Sequence, residues 1–320
     1  MSSKNRQPVE TLGYHDYAAR LLAAERPHPE GILAFYDHRV GCIGRDAALL
    51  LIPLDDHLCH RGDGVFESIA YRERRLFQLD AHLERMRRSA AALDIAAPCP
   101  WEELRAIIIA VAGAAGEAAG NIRVLIGRGA GGFGVDPAEC PTPSLYVVAI
   151  RAHVPDEGWY ARGLAAFRSA IPAKQEYLAR VKNTNYLPNV LMAAEARKRG
   201  MDVALCFDAR GFLAEAATAN VALVDAAGVL RCPDFSNSLP GTTLLAAMDI
   251  ARTLMPVEPG QVREADIFAA RELLLLSSTP LCVGVTHYEG QPIGAGTPGP
   301  VATQLRHLLL EKLVAEGCPF

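Results

Sequence analysis

Short runs in which apolar and polar positions alternate recur along the chain, as expected for half-buried β-strands separated by turns. In the first half, these runs predict a hairpin over 66–78 and strands at 32–36, 48–52, 122–126 and 144–150. In the second half, they predict strands at 203–207, 212–214, 220–224 and 273–276. Turn residues at 208–211 and 225–228 separate three of these strands.

Helical spacing of apolar residues predicts helices between the strands. After Asp80, residues Leu83, Met86, Ala90 and Leu93 fall on one face of a helix. Further helices are predicted at 100–120, 188–199, 242–254 and 301–316. Because strands and helices come in blocks rather than in strict alternation, the pattern indicates an α+β fold.

The length of the chain predicts two domains. It has 320 residues, half of them apolar, which is more than one hydrophobic core usually takes. Residues 152–162 are polar, contain Pro and Gly, and are the predicted linker. They separate a first domain at 31–151 from a second at 163–320, and residues 1–30 are expected to be an N-terminal extension or a surface helix.

Composition excludes several classes of function. The net charge is −4 and basic residues form no long run, so no nucleic-acid or membrane partner is expected. The apolar stretch at 107–119 is too short to span a bilayer, and the N-terminus lacks a secretory pattern. The eight cysteines are scattered without C-x-x-C or zinc spacing, which predicts reduced thiols in a cytoplasmic protein and no metal site.

Lys182 is the leading candidate for chemistry. It lies among Asn183, Asn185 and Tyr186, just before a predicted helix, in an otherwise apolar and amide-rich segment. A desolvated lysine amine is nucleophilic and can form a Schiff base with an aldehyde cofactor. A solvated lysine at a helix start is the commoner role for any lysine, but these neighbours argue against it here.

Three further features would suit pyridoxal 5′-phosphate (PLP), which needs a lysine, an acid at its pyridine nitrogen and a phosphate site. Glu215 lies among small residues, where burial would require a cation such as that nitrogen. Gly241 opens a helix whose first N–H groups and dipole favour an anion. Arg85 could bind phosphate through its guanidinium. The alternative roles are a solvent-exposed side chain for Glu215, an ordinary threonine cap at the helix that Gly241 opens, and a solvent-exposed helix position for Arg85.

A Gly-rich segment at 127–132 matches the G-x-G-x-x-G pattern after a predicted strand, but two prolines at 141 and 143 follow where a dinucleotide site would need a helix. We therefore interpret it as a flexible loop near the site. Arg123 and Arg128 at its base are candidates for binding a substrate carboxylate.

Five segments together resemble the fold-type IV (class IV) PLP-dependent aminotransferases, a family with branched-chain aminotransferases, D-amino-acid transaminases and aminodeoxychorismate lyases. They are 60–67 (HRGDGVFE), 77–90, 181–187 (VKNTNYL), 211–220 and 239–243 (LPGTT), in the order of the family. The resemblance implies a small N-terminal α/β domain, a larger C-terminal pseudobarrel domain, PLP between them and a homodimer.

The resemblance also implies roles for individual residues. Lys182 would hold PLP and shuttle the proton, Glu215 would meet the pyridine nitrogen, and Tyr186 would meet the ring oxygen. The remaining cofactor-binding residues implied are Arg85, Gly241, Thr242 and Thr243 at the phosphate, with Ser278 and Thr279 as a second phosphate or substrate-carboxylate turn. The substrate-binding candidates are Phe66, Arg61, Arg123 and Arg128.

The expected reaction moves an amino group between a small amino acid, either a D-amino acid or a branched-chain one, and a 2-oxo acid. The alternative is 4-amino-4-deoxychorismate lyase, which would release pyruvate with the same lysine. Arg61 and the segment 185–191 are more similar to the D-transaminase and lyase branch, whereas 121–123 and 132–137 are more similar to branched-chain enzymes. Asn121 replaces a tyrosine that is usual in that second group.

Overall fold

The computed structural model describes residues 9–152, 155 and 157–320. Its strands form two sheets with helices packed against them, which confirms the α+β class. The strands are β1 (Ile32–Asp37), β2 (Cys42–Gly44), β3 (Gly64–Arg72), β4 (Arg75–Leu76), β5 (Gly120–Gly127), β6 (Ser144–Ile150), β7 (Leu164–Arg168), β8 (Val203–Phe207), β9 (Leu213–Ala216), β10 (Asn220–Val224), β11 (Leu230–Pro233), β12 (Val257–Gly260), β13 (Glu272–Ser277), β14 (Leu281–Tyr288), β15 (Gln291–Pro292) and β16 (Cys318–Pro319). The helices are α1 (Tyr14–Ala23), α2 (His57–His60), α3 (Leu79–Ala92), α4 (Trp101–Ala115), α5 (Glu157–Arg162), α6 (Glu176–Ala179), α7 (Leu187–Arg199), α8 (Thr242–Ala251), α9 (Glu264–Phe268) and α10 (Pro300–Glu316).

The first sheet is antiparallel, with the strand order β16-β4-β3-β5-β6-β1-β2. Alternation along its central strands decides which side chains reach the core. Ile69 of β3 and Ile122 of β5 pack with the apolar faces of α3 and α4. Their sequence neighbours at even positions of β3 and odd positions of β5, including Phe66 and Arg123, point to the opposite face of the sheet.

The second sheet has the order β12-β11-β10-β13-β14-β7-β8-β9, with β15 paired to β14. Its apolar residues also alternate between two cores. Leu274 and Leu276 of β13 pack beneath α8 and α10. Leu273 and Leu275 face the other core, which is formed largely by this sheet itself. A sheet that buries both faces explains why the second half of the chain is so rich in continuous apolar runs.

One predicted strand and the predicted end of one helix were wrong. Residues 48–52 are not a strand: Ala47–Leu49 form a 3-10 turn that starts where the Asp46 carboxylate accepts the Ala48 N–H at 2.9 Å. The helix predicted to reach 120 ends at Ala115, because Gly116 adopts a left-handed φ of 75° and Gly120 already begins β5. The other predicted strands and helices are present, with ends shifted by a few residues.

The predicted N-terminal extension and the predicted linker each contain a helix, and the C-terminus returns to the first sheet. The N-terminal extension contains α1, which has no buried residue. Within the predicted linker, α5 occupies Glu157–Arg162, while His153, Val154 and Asp156 lie outside the described residues. The C-terminal β16 returns to the first sheet and pairs with β4. Among the helices described, none has the length and apolar character needed to cross a membrane.

Candidate active site

A cleft of about 770 Å³ lies between the two sheets and is lined by residues from both. The first sheet contributes side chains from β3 and β5, and the second contributes β9, the β13–β14 turn and the start of α8. All but two of the residues that the sequence nominated line it: Phe66, Arg85, Arg123, Lys182, Tyr186, Glu215, Gly241, Thr242, Thr243, Ser278 and Thr279.

Lys182 is held by the first sheet although it belongs to the second half of the chain. Its carbonyl accepts the Phe66 N–H at 2.9 Å, and its own N–H donates to the Ser89 hydroxyl at 3.1 Å. Its Nζ lies 4.5 Å from the centroid of the Phe66 ring. Burial, with a contribution from the Arg85 charge, lowers the pKa of Lys182 to about 8. An amine that is easily deprotonated suits a nucleophile and a proton carrier.

Glu215 is a half-buried carboxyl that lines the same cleft. Its Oε2 accepts the Leu239 N–H at 3.1 Å. Burial raises the pKa of Glu215 to about 7, although the Leu239 N–H and the charge of Lys174 oppose this shift. A carboxyl in this state gains most from a cationic hydrogen-bond partner, and a protonated pyridine nitrogen is such a group.

The start of α8 forms an anion cradle. Asn220 Nδ2 donates to the Leu239 carbonyl at 2.8 Å, and Arg85 Nη1 donates to the Pro240 carbonyl at 3.2 Å, so the approach to the helix is fixed. A Cβ atom on Gly241 would lie 1.8 Å from Asn220 Oδ1, so a side chain here would displace the Asn220 amide or the first turn of the helix. The first helical N–H groups carry no side-chain cap, and the helix dipole favours an anion there.

Behind the cradle, a buried network orders Arg85 and Thr242. Arg85 Nε and Nη2 each donate to Glu67 at 2.7 Å, and His82 Nδ1 lies 2.7 Å from the same carboxylate. Burial would raise the pKa of Glu67, but the charge of Arg85 and the hydrogen bonds from Arg85 and His82 lower it to about 2. Two of the three guanidinium nitrogens of Arg85 are therefore committed to Glu67, and the third, Nη1, donates to the Pro240 carbonyl just before α8.

The protonation of this network decides which hydroxyl is free. Because a carboxylate only accepts hydrogen bonds, His82 Nδ1 must donate to it. Burial lowers the pKa of His82, so the ring is neutral and its Nε2 accepts the Thr242 hydroxyl proton over 3.2 Å. The Thr243 hydroxyl, in contrast, is buried without a partner among the described residues. Thr243 can therefore donate its hydroxyl proton to a phosphate, whereas Thr242 can offer its backbone N–H.

The three candidate arginines have separate locations. Arg123 lies in the cleft with its Cζ 5.1 Å from the Phe66 centroid, and its buried Nε has no partner in the part of the chain that the structure describes. Arg61 donates to the backbone carbonyls of Phe133 and Gly134 outside the cleft. Arg128 is also outside it. Its guanidinium binds Asp63 at 2.9 and 3.1 Å and the carbonyls of Leu93 and Asp94 at 2.8 and 2.6 Å.

The Gly-rich loop after β5 lies away from the cleft of this chain. Its Gly131 N–H donates to the Asp55 carbonyl at 3.1 Å, and its Gly129 carbonyl accepts the His57 N–H at 3.0 Å. No residue from 128 to 143 lines the cleft. The loop therefore packs on the segment around α2, which also contains Arg61.

Tyr186 and an unpredicted lysine complete one wall. Tyr186 packs edge-to-face against Phe66 with ring centroids 5.0 Å apart, and burial raises its pKa to about 12, so the phenol stays a donor. The ammonium of Lys174 lies 4.8 Å from the centroid of the Tyr186 ring. Sequence reasoning missed Lys174, Glu67 and His82 as site residues. A lone loop lysine carries no pattern, and Glu67 and His82 were quoted only as parts of longer segments.

These residues fit PLP as a resident cofactor. The cleft-lining amine of Lys182 with its lowered pKa, the Glu215 carboxyl without an ion pair among the described residues, and the anion cradle with the free Thr243 hydroxyl match its aldehyde, pyridine nitrogen and phosphate. The cleft is also large enough for the cofactor and a small substrate together.

Comparison with known sequences gives a consistent result. Residues 64–288 match the family model for amino-transferase class IV. A chloroplastic D-amino-acid transaminase of Arabidopsis thaliana is 33% identical over 98% of this chain and 84% of its own length. A putative branched-chain-amino-acid aminotransferase of Methanocaldococcus jannaschii is 29% identical over 80% of this chain and 88% of its own length.

The fold also matches a solved structure. A branched-chain amino acid aminotransferase of T.th., solved with pyridoxamine 5′-phosphate, superposes with a TM-score of 0.83. The two chains are 27% identical, and the match covers 88% of this chain and 94% of the other.

Proposed function

The chain belongs to the class IV aminotransferases and is a PLP-dependent transaminase, and from this premise we propose that it transfers the amino group of a D-amino acid to a 2-oxo acid. The observation that carries the D-configuration is the similarity to a D-amino-acid transaminase along 98% of the chain. Asn121, at the cleft position where the branched-chain enzymes usually have a tyrosine, agrees with this choice.

Lys182 is the proposed proton carrier. PLP, when bound, supplies an electron sink for the negative charge that develops at the substrate α-carbon. Lys182 Nζ would take the proton from that carbon and deliver it to the cofactor. Because burial keeps its pKa at about 8, the amine can both accept and release a proton near neutral pH.

The other cleft residues would hold the cofactor at fixed points. The Glu215 carboxyl would share a proton with the pyridine nitrogen, and the Tyr186 phenol would donate to the ring oxygen. The phosphate would receive the N–H groups of Thr242 and Thr243, the Thr243 hydroxyl and Arg85 Nη1, with Gly241 allowing the close approach. Ser278 and Thr279 line the cleft at the β13–β14 turn, beside Asn121. Their place supports a role at the substrate carboxylate.

Arg123 is the proposed ligand of the substrate α-carboxylate. It shares the Phe66 ring with Lys182, so its guanidinium lies close to the group that must reach the α-carbon. The guanidiniums of Arg61 and Arg128 are occupied by protein carbonyls and Asp63 and lie outside the cleft, which makes them weaker candidates within one chain.

A second candidate substrate class is the branched-chain amino acids. Its support is the similarity to branched-chain aminotransferases in both sequence and fold. The lyase alternative has less support, because the relatives compared are aminotransferases.

We also propose a homodimer in a reducing compartment such as the cytoplasm. Leu187, Val190 and Leu191 are exposed side chains on α7, immediately after the catalytic segment, and they support an interface there. All eight cysteines are free thiols, which supports a reducing compartment.

The test is a half-reaction without an amino acceptor. The PLP-loaded enzyme is mixed in turn with D-alanine, D-glutamate, L-leucine and L-glutamate, and its visible absorbance is followed. We expect the D-amino acids to convert the bound cofactor to its amine form, and Lys182→Ala to abolish the change. Conversion by L-leucine alone would favour the branched-chain class. No conversion by any of the four would contradict transamination and direct attention to aminodeoxychorismate.

A further inference from the structure

Lys174 is a second lysine of the cleft, and neither the cofactor nor the proton transfer uses it. It follows β7 in the loop before α6, and the Ala173 N–H donates to the Phe207 carbonyl at 2.9 Å, which fixes the loop. Its ammonium lies on the Tyr186 ring and has no hydrogen bond or ion pair among the residues that the structure describes. Burial lowers the pKa of Lys174, while the charge of Glu215 opposes the shift.

Two cationic side chains of the cleft remain available to bind a substrate once the ion pairs and the cofactor are accounted for. Arg85 is paired with Glu67, and Arg151 at the rim is paired with Glu117 at 3.1 Å. Lys182 would be bonded to PLP, and Glu215 would pair with the pyridine nitrogen of PLP. The two cations that remain are those of Arg123 and Lys174, each resting on an aromatic ring.

A purely structural role explains Lys174 poorly. A partly buried lysine usually places its ammonium beside a carboxylate or carbonyl oxygen, and Lys174 lines the cleft with neither among the described residues. The contact with Tyr186 is a weaker interaction than such a pair. An anionic ligand in the cleft would supply the missing partner.

The positions of the two cations relative to Lys182 separate their roles. Lys182 and Arg123 rest on the same Phe66 ring, at 4.5 and 5.1 Å from its centroid. Lys174 rests instead on the neighbouring Tyr186 ring, which packs edge-to-face against Phe66. Arg123 would therefore bind the carboxylate attached to the reacting carbon. A second carboxylate further along the substrate can reach Lys174.

We propose that Lys174 is a specificity-determining residue that binds the side-chain carboxylate of a dicarboxylic amino acid or 2-oxo acid. The proposal rests on the transaminase function above and names the substrate class that one half of the reaction accepts.

The test compares the binding of two unreactive five-carbon acids, glutarate with two carboxylates and valerate with one, to the PLP-loaded enzyme by calorimetry. Lys174→Met removes the charge and keeps most of the length, Lys174→Arg restores a cation, and Lys312→Met removes a lysine that lies on α10 outside the cleft. Loss of a charged hydrogen bond predicts roughly a tenfold to hundredfold weaker binding of glutarate by Lys174→Met. Valerate should bind as in the wild type, Lys174→Arg should recover much of the glutarate affinity, and Lys312→Met should change neither.

Kinetics supply a second readout. Lys174→Met should raise the KM for the glutamate enantiomer that the enzyme uses, with little change in the KM for alanine. Equal weakening of glutarate and valerate, or no weakening of either, would overturn the proposal, provided that PLP content and melting temperature match the wild type. Because ligand binding needs no turnover, an enzyme inactive in the half-reaction would refute the proposed function and still allow the Lys174 test.

Discussion

At the residue scale, we expect Glu215 to lower the stability of the PLP-free protein at high pH and to support the reaction when PLP is bound. Burial raises its pKa from an ordinary 4.5 to about 7. Between these values the folded protein keeps a proton that the unfolded chain has released, so the stability from this group is present below pH 4.5 and lost as pH rises through 7. Glu215→Gln removes the titration. In PLP-free protein at pH 8, the variant should be more stable by about 1–3 kcal/mol.

Urea unfolding of both PLP-free proteins at pH 5 and pH 8 checks this sign. The two free energies of unfolding should differ little at pH 5 and diverge at pH 8. In the PLP-loaded enzyme, the wild type should react faster than the variant, because the glutamine amide cannot balance the charge of a pyridinium. The half-reaction of the variant should slow roughly tenfold to hundredfold. A Glu215→Gln protein that is destabilised at pH 8 and reacts at the wild-type rate would remove Glu215 from the site.

At the element scale, the start of α8 depends on close packing with Asn220. Gly241 has an ordinary φ of −69°, so alanine is allowed by the backbone, and the obstacle to Gly241→Ala is the contact of the new Cβ with Asn220 Oδ1. Relief of that contact must shift either the amide or the first turn of the helix, at a cost of about 1–3 kcal/mol. We expect the dissociation constant for PLP to rise at least roughly tenfold, since the shifted N–H groups no longer meet the phosphate.

Gly113→Ala is the matched control for this prediction. Gly113 lies within α4, and a Cβ there would meet nothing within 4 Å. The substitution should leave PLP affinity unchanged and raise the free energy of unfolding by up to about 1 kcal/mol through helix propensity. Equal PLP affinity for Gly241→Ala and the wild type would show that the α8 cradle does not hold the phosphate.

Elements whose pattern is local could be predicted from the sequence. Alternation in β3 and β5 marked both strands, and the same alternation places Phe66 and Arg123 on the cleft face. Residues 48–52 were mistaken for a strand because they are apolar. In the structure Arg26 donates to the carbonyls of Ala47 and Leu50, and Arg39 donates to that of Leu51. Side chains distant in sequence thus satisfy carbonyls that a neighbouring strand would otherwise satisfy.

The site residues likewise divide into those that local sequence could predict and those that it could not. Lys182, Glu215 and the Gly241 helix start could be nominated because each has unusual neighbours in sequence. The triad of Glu67, His82 and Thr242 could not, since its members meet only after β3, α3 and α8 pack together. Lys174 is recognisable only by its location on the Tyr186 ring, which depends on the loop before α6.

At the scale of the whole molecule, the catalytic segment is continuous with an exposed apolar surface. Leu187, Val190 and Leu191 are 67%, 58% and 45% exposed, and their i, i+3, i+4 spacing places them on one face of α7. The helix begins directly after Tyr186, so an interface on this face would also fix the Tyr186 ring. We expect the wild type to have twice the 34.4 kDa mass of one chain by light scattering.

Leu187→Asp with Val190→Asp should convert the protein to a monomer, because two buried carboxylates without partners cannot be accommodated in a symmetric apolar interface. The monomer should also bind PLP more weakly, as Tyr186 loses its support. Leu254→Asp is the control: Leu254 is also exposed, at 41%, but lies beyond α8 and should leave the mass unchanged. A doubly substituted protein that stays dimeric would place the interface elsewhere, and a monomeric wild type would exclude the homodimer.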